Sequence, residues 1–175
     1  MTQNTNKIYP KIIYVLGFIF DSNEKSVVLI EKQSPEWQWG KLNGIGGKYE
    51  LSDEHPINAM IREAKEEAGV STNTNDWTQF AELSGSDFIV YCYRLTDSKI
   101  FDLAKSKTSE KICKIQISNL DCYKYISNLT WLIPLALDNK QYYFIPYAKI
   151  EYNKPETKKL IKIWIKAWLW QKNKK

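Results

Sequence analysis

With 175 residues and a mass of 20.6 kDa, the chain has the length of one well-filled domain and falls short of two. Hydrophobic residues make up 43% and charged residues 26%, with 7 glycines and 6 prolines, a balance that excludes a disordered or collagen-like chain. Much of the formal charge of +5 sits near the end, where Lys172, Lys174 and Lys175 form a tail, so the field suits phosphate ligands without identifying one.

The first apolar run, Ile12 to Phe20, is far shorter than the ~20 residues a membrane helix needs and has no small-residue cleavage site after it. It reads instead as a strand buried on both faces, turned by Asp21-Ser22-Asn23-Glu24 into a second strand, Ser26 to Glu31. A loop from Gln33 to about Ser52 holds Gly40, Gly44, Gly46 and Gly47. Pro56 then fits the first turn of a helix, where a missing N–H costs nothing, and Gly69 fits its stop. Strands are predicted over Thr78–Leu83, Phe88–Leu95 and Cys113–Ser118, a helix over Trp131–Leu137, and an edge or broken strand over Tyr142–Tyr152, which contains Pro146. An amphipathic helix is predicted from Pro155 to Gln171, with Lys158, Lys162 and Lys166 on one face and Leu160, Ile161, Trp164, Ile165 and Trp168 on the other. That face fits intramolecular packing, a homodimer contact or a membrane surface, the last being the weakest reading. Strands mixed with a few helices predict an α/β fold, a mixed sheet covered by helices, spanning the chain as a single domain.

Three cysteines, Cys92, Cys113 and Cys122, with no Cys-x-x-Cys pair, argue against a disulfide framework or a zinc site and for a reducing cytoplasm. His55 is the only histidine, so chemistry that needs two imidazoles is excluded. What remains is carboxylates, lysines, hydroxyls and backbone.

The helix after Pro56 carries them. Ile57, Met60, Ile61, Ala64 and Ala68 form one buried stripe at helical spacing, and Glu63, Glu66 and Glu67 stand beside it at i, i+3 and i+4. Like charges at that spacing cost ~0.2–0.5 kcal/mol per pair in water. In a less hydrated pocket the repulsion rises to on the order of 4 kcal/mol for two charges 4 Å apart. A hard divalent cation removes the conflict, and Mg²⁺ prefers such oxygen ligands. A solvated acidic face, with Arg62 and Lys65 as partners, is the plainer alternative for a Glu-rich helix. The glycines just upstream, which let backbone approach a metal or phosphate closely, favour the site.

The stretch from Glu54 through Arg62-Glu63-Ala64-Lys65-Glu66-Glu67-Ala68-Gly69-Val70 resembles the Nudix box at every fixed place, except that six residues, not five, separate Gly47 from Glu54. Trp39-Gly40-Lys41-Leu42-Asn43-Gly44-Ile45-Gly46-Gly47-Lys48 is similar to the Trp-Asn-Gly-Phe-Gly-Gly-Lys run of the branch that hydrolyses oxidised purine nucleoside triphosphates. Phe88–Leu95, Ser109-Glu110 and Trp131–Leu135 follow in the same order as in that branch.

The resemblance implies a Nudix α/β/α sandwich and Mg²⁺-dependent hydrolysis of a nucleoside diphosphate linkage, with Mn²⁺ as the alternative ion. It implies metal binding by the Gly47 carbonyl and by Glu63, Glu66, Glu67 and Glu110. It implies catalysis by Glu66, Glu67 and Glu110, the proton acceptor being Glu66 or Glu110. Arg62 orients the box glutamates, and Lys48 touches phosphate or is simply exposed. The substrate side falls to Asn43, Tyr125, Ser127 and Asn128. Here the branch's acidic pair is replaced by Ser127 and Asn128, which removes the carboxyls that tell an altered guanine from a normal one. The expectation is therefore a purine nucleoside triphosphate cut to monophosphate and pyrophosphate, as in nucleotide-pool sanitising. ADP-ribose or a dinucleoside polyphosphate is the nearest alternative, disfavoured because no proline lies between Pro56 and Pro134. A non-catalytic nucleotide-binding module is the alternative of another class, disfavoured by the intact box. No nucleic-acid-reading motif is present, so no stable nucleic-acid partner is expected.

Overall fold

The computed structural model describes residues 11–138 and 148–152. The helix predicted over residues 155–171, the lysine tail and most of the strand predicted over Tyr142–Tyr152 lie outside the described residues.

The sheet is built on β1 (Ile12–Phe20), which is apolar on both sides because both sides are covered. It turns into β2 (Ser26–Glu31) and pairs in parallel along its whole length with β5 (Phe88–Thr96). A short β3 (Leu42–Asn43), β4 (Thr78–Ser84), β6 (Lys111–Gln116) and β7 (Ala148–Glu151) complete the sheet. The order is β3-β2-β1-β5-β4-β7, with β6 on β2. The β4–β7 pair is also parallel and the remaining pairs are antiparallel, so the sheet is mixed.

Side chains of β1 alternate between two cores. Leu16, Phe18 and Phe20 pack with α3 (Leu129–Leu137), whose Leu129, Leu132, Ile133 and Ala136 are fully enclosed. Val15 and Ile19 pack on the opposite face with Ala59, Met60, Ala64 and Ala68 of α1 (Pro56–Ala68), beside the one-and-a-half-turn α2 (Ser98–Leu103). The predicted sandwich of helices around a mixed sheet is thus the observed one. α1 starts on Pro56 and ends where Gly69 adopts φ 67°, as its punctuation requires.

Four elements depart from expectation. The strand predicted over Cys113–Ser118 is shifted to Lys111–Gln116, because Ile117–Cys122 winds into 3-10 turns. The helix around Trp131 begins earlier, at Leu129. β3 lies inside the segment read as the loop from Gln33 to Ser52, and α2 falls where no element is predicted.

The glycine-rich segment owes its place to a split between β1 and β2. These strands pair only at Ile19–Val28 and Phe20–Val27, then diverge. Residues 42–49 fill the gap: Leu42 and Asn43 pair with β2, while Ile45 exchanges hydrogen bonds with Gly17 (2.7 and 3.0 Å) and Val15 N–H donates to the Gly47 carbonyl (2.9 Å). Gly46 sits at φ 149°, and a Cβ there would lie 2.1 Å from the Val15 carbonyl oxygen. Both the conformation and the space demand glycine. Gly46→Ala is expected to destabilise the protein by more than ~1 kcal/mol. For a chain of this size that lowers the Tm by at least ~2–4 °C. Thermal unfolding by circular dichroism against wild type checks it.

Candidate active site

The wedge delivers the glycine-rich backbone to the side of α1 that carries its carboxylates. Glu63 and Glu67 are buried, whereas the Glu66 side chain is 56% exposed. The Glu63 carboxylate lies against Gly47 so closely that a Cβ on that glycine would come within 2.4 Å of its Oε1. Glu67 Oε2 accepts the Gly46 N–H at 2.9 Å.

Arg62 organises the outer half of the site. Its Nε and Nη2 bind the two oxygens of Asp53 at 2.9 and 3.1 Å, a bidentate fork. Nη1 reaches Glu63 Oε1 at 2.8 Å and Glu66 Oε2 at 3.1 Å, and Nη2 also donates to the Lys48 carbonyl at 3.0 Å. The guanidinium holds the buried Asp53 carboxyl below its ordinary value, and Asp53 in turn raises that of Arg62.

Asp53 corrects the sequence expectation for Glu54. Glu54 follows the 3-10 turn Leu51–Asp53 at φ 61°, exposed, while Asp53 points inward and also accepts the Glu50 N–H at 2.8 Å. With five residues between, Gly47 is followed by Asp53; with seven between, Arg62 is preceded by Glu54. The extra residue is taken up after the acidic partner, not before it. The forward count was the signal.

Lys32 organises the inner half, and sequence reasoning missed it. Its ammonium is 2.6 Å from Glu110 Oε2 and 3.6 Å from Glu67 Oε1. Glu110 Oε1 accepts the Gln33 N–H at 3.0 Å. The cause is a ladder: β2 and β6 pair antiparallel with Glu31 opposite Lys111, so Lys32 and Glu110 are the next pair beyond its end. A lysine one residue past a strand is an ordinary edge feature, and nothing in its own spacing marks it.

Burial sets the ionisation. Glu67 is pushed up to about 7, chiefly by desolvation, with Lys32 and the Gly46 N–H pulling the other way. Burial also raises Glu63, against the pull of Arg62. As arranged, the carboxylates are partitioned between two side-chain cations. Among the described residues no three His, Cys, Asp or Glu side chains converge closely enough to hold an ion. The donors nonetheless fit a hard divalent cation. They are all oxygens, three of the four carboxylates are withdrawn from water, and the Gly47 carbonyl uses one lone pair on Val15.

The predicted substrate residues fall in two places. Asn43 and Tyr125 flank β3: Tyr125 bridges to Leu42 and its hydroxyl donates to Asp121 at 2.7 Å, and the Asn43 amide donates to Gln38 Oε1 at 3.2 Å. Ser127 and Asn128 line a cleft of about 650 Å³ with Trp131, Leu135, Ile150 and Tyr152. Asn128 Oδ1 is buried without a hydrogen-bond partner among the described residues. Lys48 is exposed and enters the described hydrogen bonds through its backbone carbonyl.

Known structures share this architecture. A MutT from the pair Aliivibrio salmonicida and Vibrio cholerae matches with TM-score 0.60 and 19% identity, over 71% of this chain and 94% of that one. The Bacillus halodurans MutT matches with TM-score 0.58 and 15% identity, over 81% and 90%. The NUDIX domain of Shewanella oneidensis NrtR, solved with ADP ribose, matches with TM-score 0.57 and 13% identity, over 77% and 96%. At these identities the likeness shows the fold. No curated protein matches the chain significantly. The NUDIX domain family, however, matches residues 10–121. That stretch is well over half of the chain and contains both strands that carry Lys32 and Glu110 together with the whole of α1. The chain therefore belongs to the Nudix family of nucleotide pyrophosphohydrolases.

Proposed function

We propose that this protein is a single-domain, Mg²⁺-dependent hydrolase that cuts a purine nucleoside triphosphate to monophosphate and pyrophosphate in the cytoplasm, with Mn²⁺ able to replace Mg²⁺. The observation that carries the proposal is the complete carboxylate set, Glu63, Glu66, Glu67 and Glu110, held in place by Arg62, Lys32 and the Gly46 N–H. A module that only bound nucleotides would have no need of four acids whose repulsion must be offset by two cations.

A bound Mg²⁺ would supply neutralisation of phosphate charge and acidification of the attacking water. Glu63, Glu66, Glu67, Glu110 and the Gly47 carbonyl are the groups to hold it. Arg62 holds the Glu63 and Glu66 carboxylates in orientation through Nη1. Lys32 holds Glu67 and Glu110 together and would set their orientation toward the ion. Glu110 or Glu66 takes the proton from the water that attacks phosphorus in line.

Asn43, Tyr125, Ser127 and Asn128 form the base-reading side, and Lys48 is a peripheral phosphate contact. Asn128 offers an amide carbonyl acceptor that has no partner among the described residues, where a carboxyl pair would serve an oxidised purine. This supports an ordinary purine over an oxidised one.

Product analysis with Mg²⁺ and a panel of normal and oxidised triphosphates, ADP-ribose and diadenosine polyphosphates tests the substrate. Glu67→Gln is expected to lower kcat by at least ~10²-fold while the protein stays folded; unchanged turnover removes Glu67 from the machinery. Asp53→Asn is expected to cost about 10–100-fold in activity through Arg62, and Glu54→Gln to cost nothing measurable. The opposite ranking would return the box position to Glu54.

The metal-free protein is expected to report the Glu67 shift through its stability. With its folded-state value near 7 and an ordinary value of 4.5, Glu67 keeps a proton in the fold that the unfolded chain releases. The resulting stability is fully present below about pH 4.5 and is lost as pH rises through 7. Asp53, shifted down from 3.8, acts in a separate acidic window, stabilising above it and losing that contribution below. In EDTA, Tm should therefore fall between pH 5 and 7.5 more steeply for wild type than for Glu67→Gln. Parallel curves would show that Glu67 is not desolvated.

A further inference from the structure

Trp37 and Trp39 are 61% and 70% exposed, although tryptophan is the side chain with most to gain from burial. Of the other described tryptophans, Trp77 is buried with its indole N–H on Thr72, and Trp131 is partly covered. The two exposed rings flank Gln38 in one short 3-10 turn, Glu36–Gln38.

The turn is held firmly. Gln38 N–H donates to Pro35 (2.8 Å), Trp39 N–H to Glu36 (3.1 Å) and Lys41 N–H to Gln38 (2.9 Å), and the Lys41 ammonium caps the Trp37 carbonyl at 2.7 Å. Its two ends are tied to the site. Gly40 N–H donates to the carbonyl of Lys32 (2.8 Å), whose ammonium joins Glu67 and Glu110. Gln38 accepts from the amide of Asn43 (3.2 Å). Gln38 is thereby directed to Asn43, and the rings on either side of it in sequence stay exposed.

Resting on the reading of the site as a nucleotide hydrolase, we infer that Trp37 and Trp39 form an aromatic rim that stacks on the nucleobase of the substrate. Stacking needs a flat apolar face and no hydrogen-bond code, so the rim supplies affinity for the base while Asn43 and Asn128 supply the polar reading. The rings touch the base and not the reacting phosphates. Their contribution is the same in ground and transition states, so it appears in KM and leaves kcat alone.

The test is steady-state kinetics of Trp37→Ala, Trp39→Ala and the double variant on purine and pyrimidine triphosphates, with inorganic tripolyphosphate as a baseless competitive inhibitor. The double variant should raise KM for the purine substrate by roughly fivefold or more, with kcat within about twofold and the tripolyphosphate inhibition constant unchanged. Phe at either position should restore much of the loss. An unchanged KM in the double variant overturns the inference and leaves the hydrolase reading intact, as does an equal loss of tripolyphosphate affinity. If wild type turns over no nucleotide, the hydrolase reading fails by itself. The rim is then decided by tryptophan fluorescence on titration with a non-hydrolysable purine triphosphate. Quenching lost in the double variant supports the rim, and quenching absent in wild type or retained in the double variant refutes it.

Discussion

One guanidinium sets the geometry on which the rest of the site depends. Arg62 spends its donors on Asp53, Glu63, Glu66 and the Lys48 carbonyl, and so fastens the glycine-rich segment, the 3-10 turn after it and the helix into one body. Lysine in that position, with a single point of charge, would serve one or two of these partners and leave the others to solvent. Because Asp53 and Glu63 are buried, an unserved partner is a desolvated charge, so the loss is greater than that of a surface ion pair. The fork thereby fixes the orientation of the helix carboxylates it touches.

The second constraint is backbone against backbone. The gap between β1 and β2 has room for a chain but none for side chains at Gly46, which is why the approach to the helix is written in glycine. The Gly46 N–H is then left pointing at the helix, and Glu67 uses it. A packing solution on the sheet thereby fixes a carboxylate on α1, and the desolvation that raises Glu67 is the same fact seen electrostatically.

Elements whose signal is local could be read from the sequence. β1, β2 and α1 were legible to the residue, because an unbroken apolar run, a turn and the Pro56–Gly69 punctuation are each contained in a short window. The helix carboxylates were legible for the same reason, being set by 3.6-residue spacing. Lys32 was not, since its role arises from a partner 78 residues away in sequence. Asp53 was not legible as the partner of Arg62 because a box pattern counts residues, whereas the chain absorbs its extra one in a positive-φ step after Asp53. β3 and α2 were invisible because two and six residues carry too little periodicity to separate from loop.

The pairing of β2 with β6 acts as a ruler for the chemistry at its end. Val28 packs in the core of α1 while Val27 and Leu29 fill the opposite one, and strand alternation puts Ile30 and Lys32 on the side of Val28. Removing one residue anywhere in β2 would invert that alternation and turn the ammonium to the wrong side of the sheet, with Glu110 left facing Glu67 unaccompanied. Length variation in this family member is thus confined by electrostatics as well as by packing. The loop joining α2 to β6 is tied to the end of α1 by the Lys105 and Lys107 N–H groups and delivers Glu110, so it is held as well, and the stretch from Ser26 to Lys32 can change only by substitution.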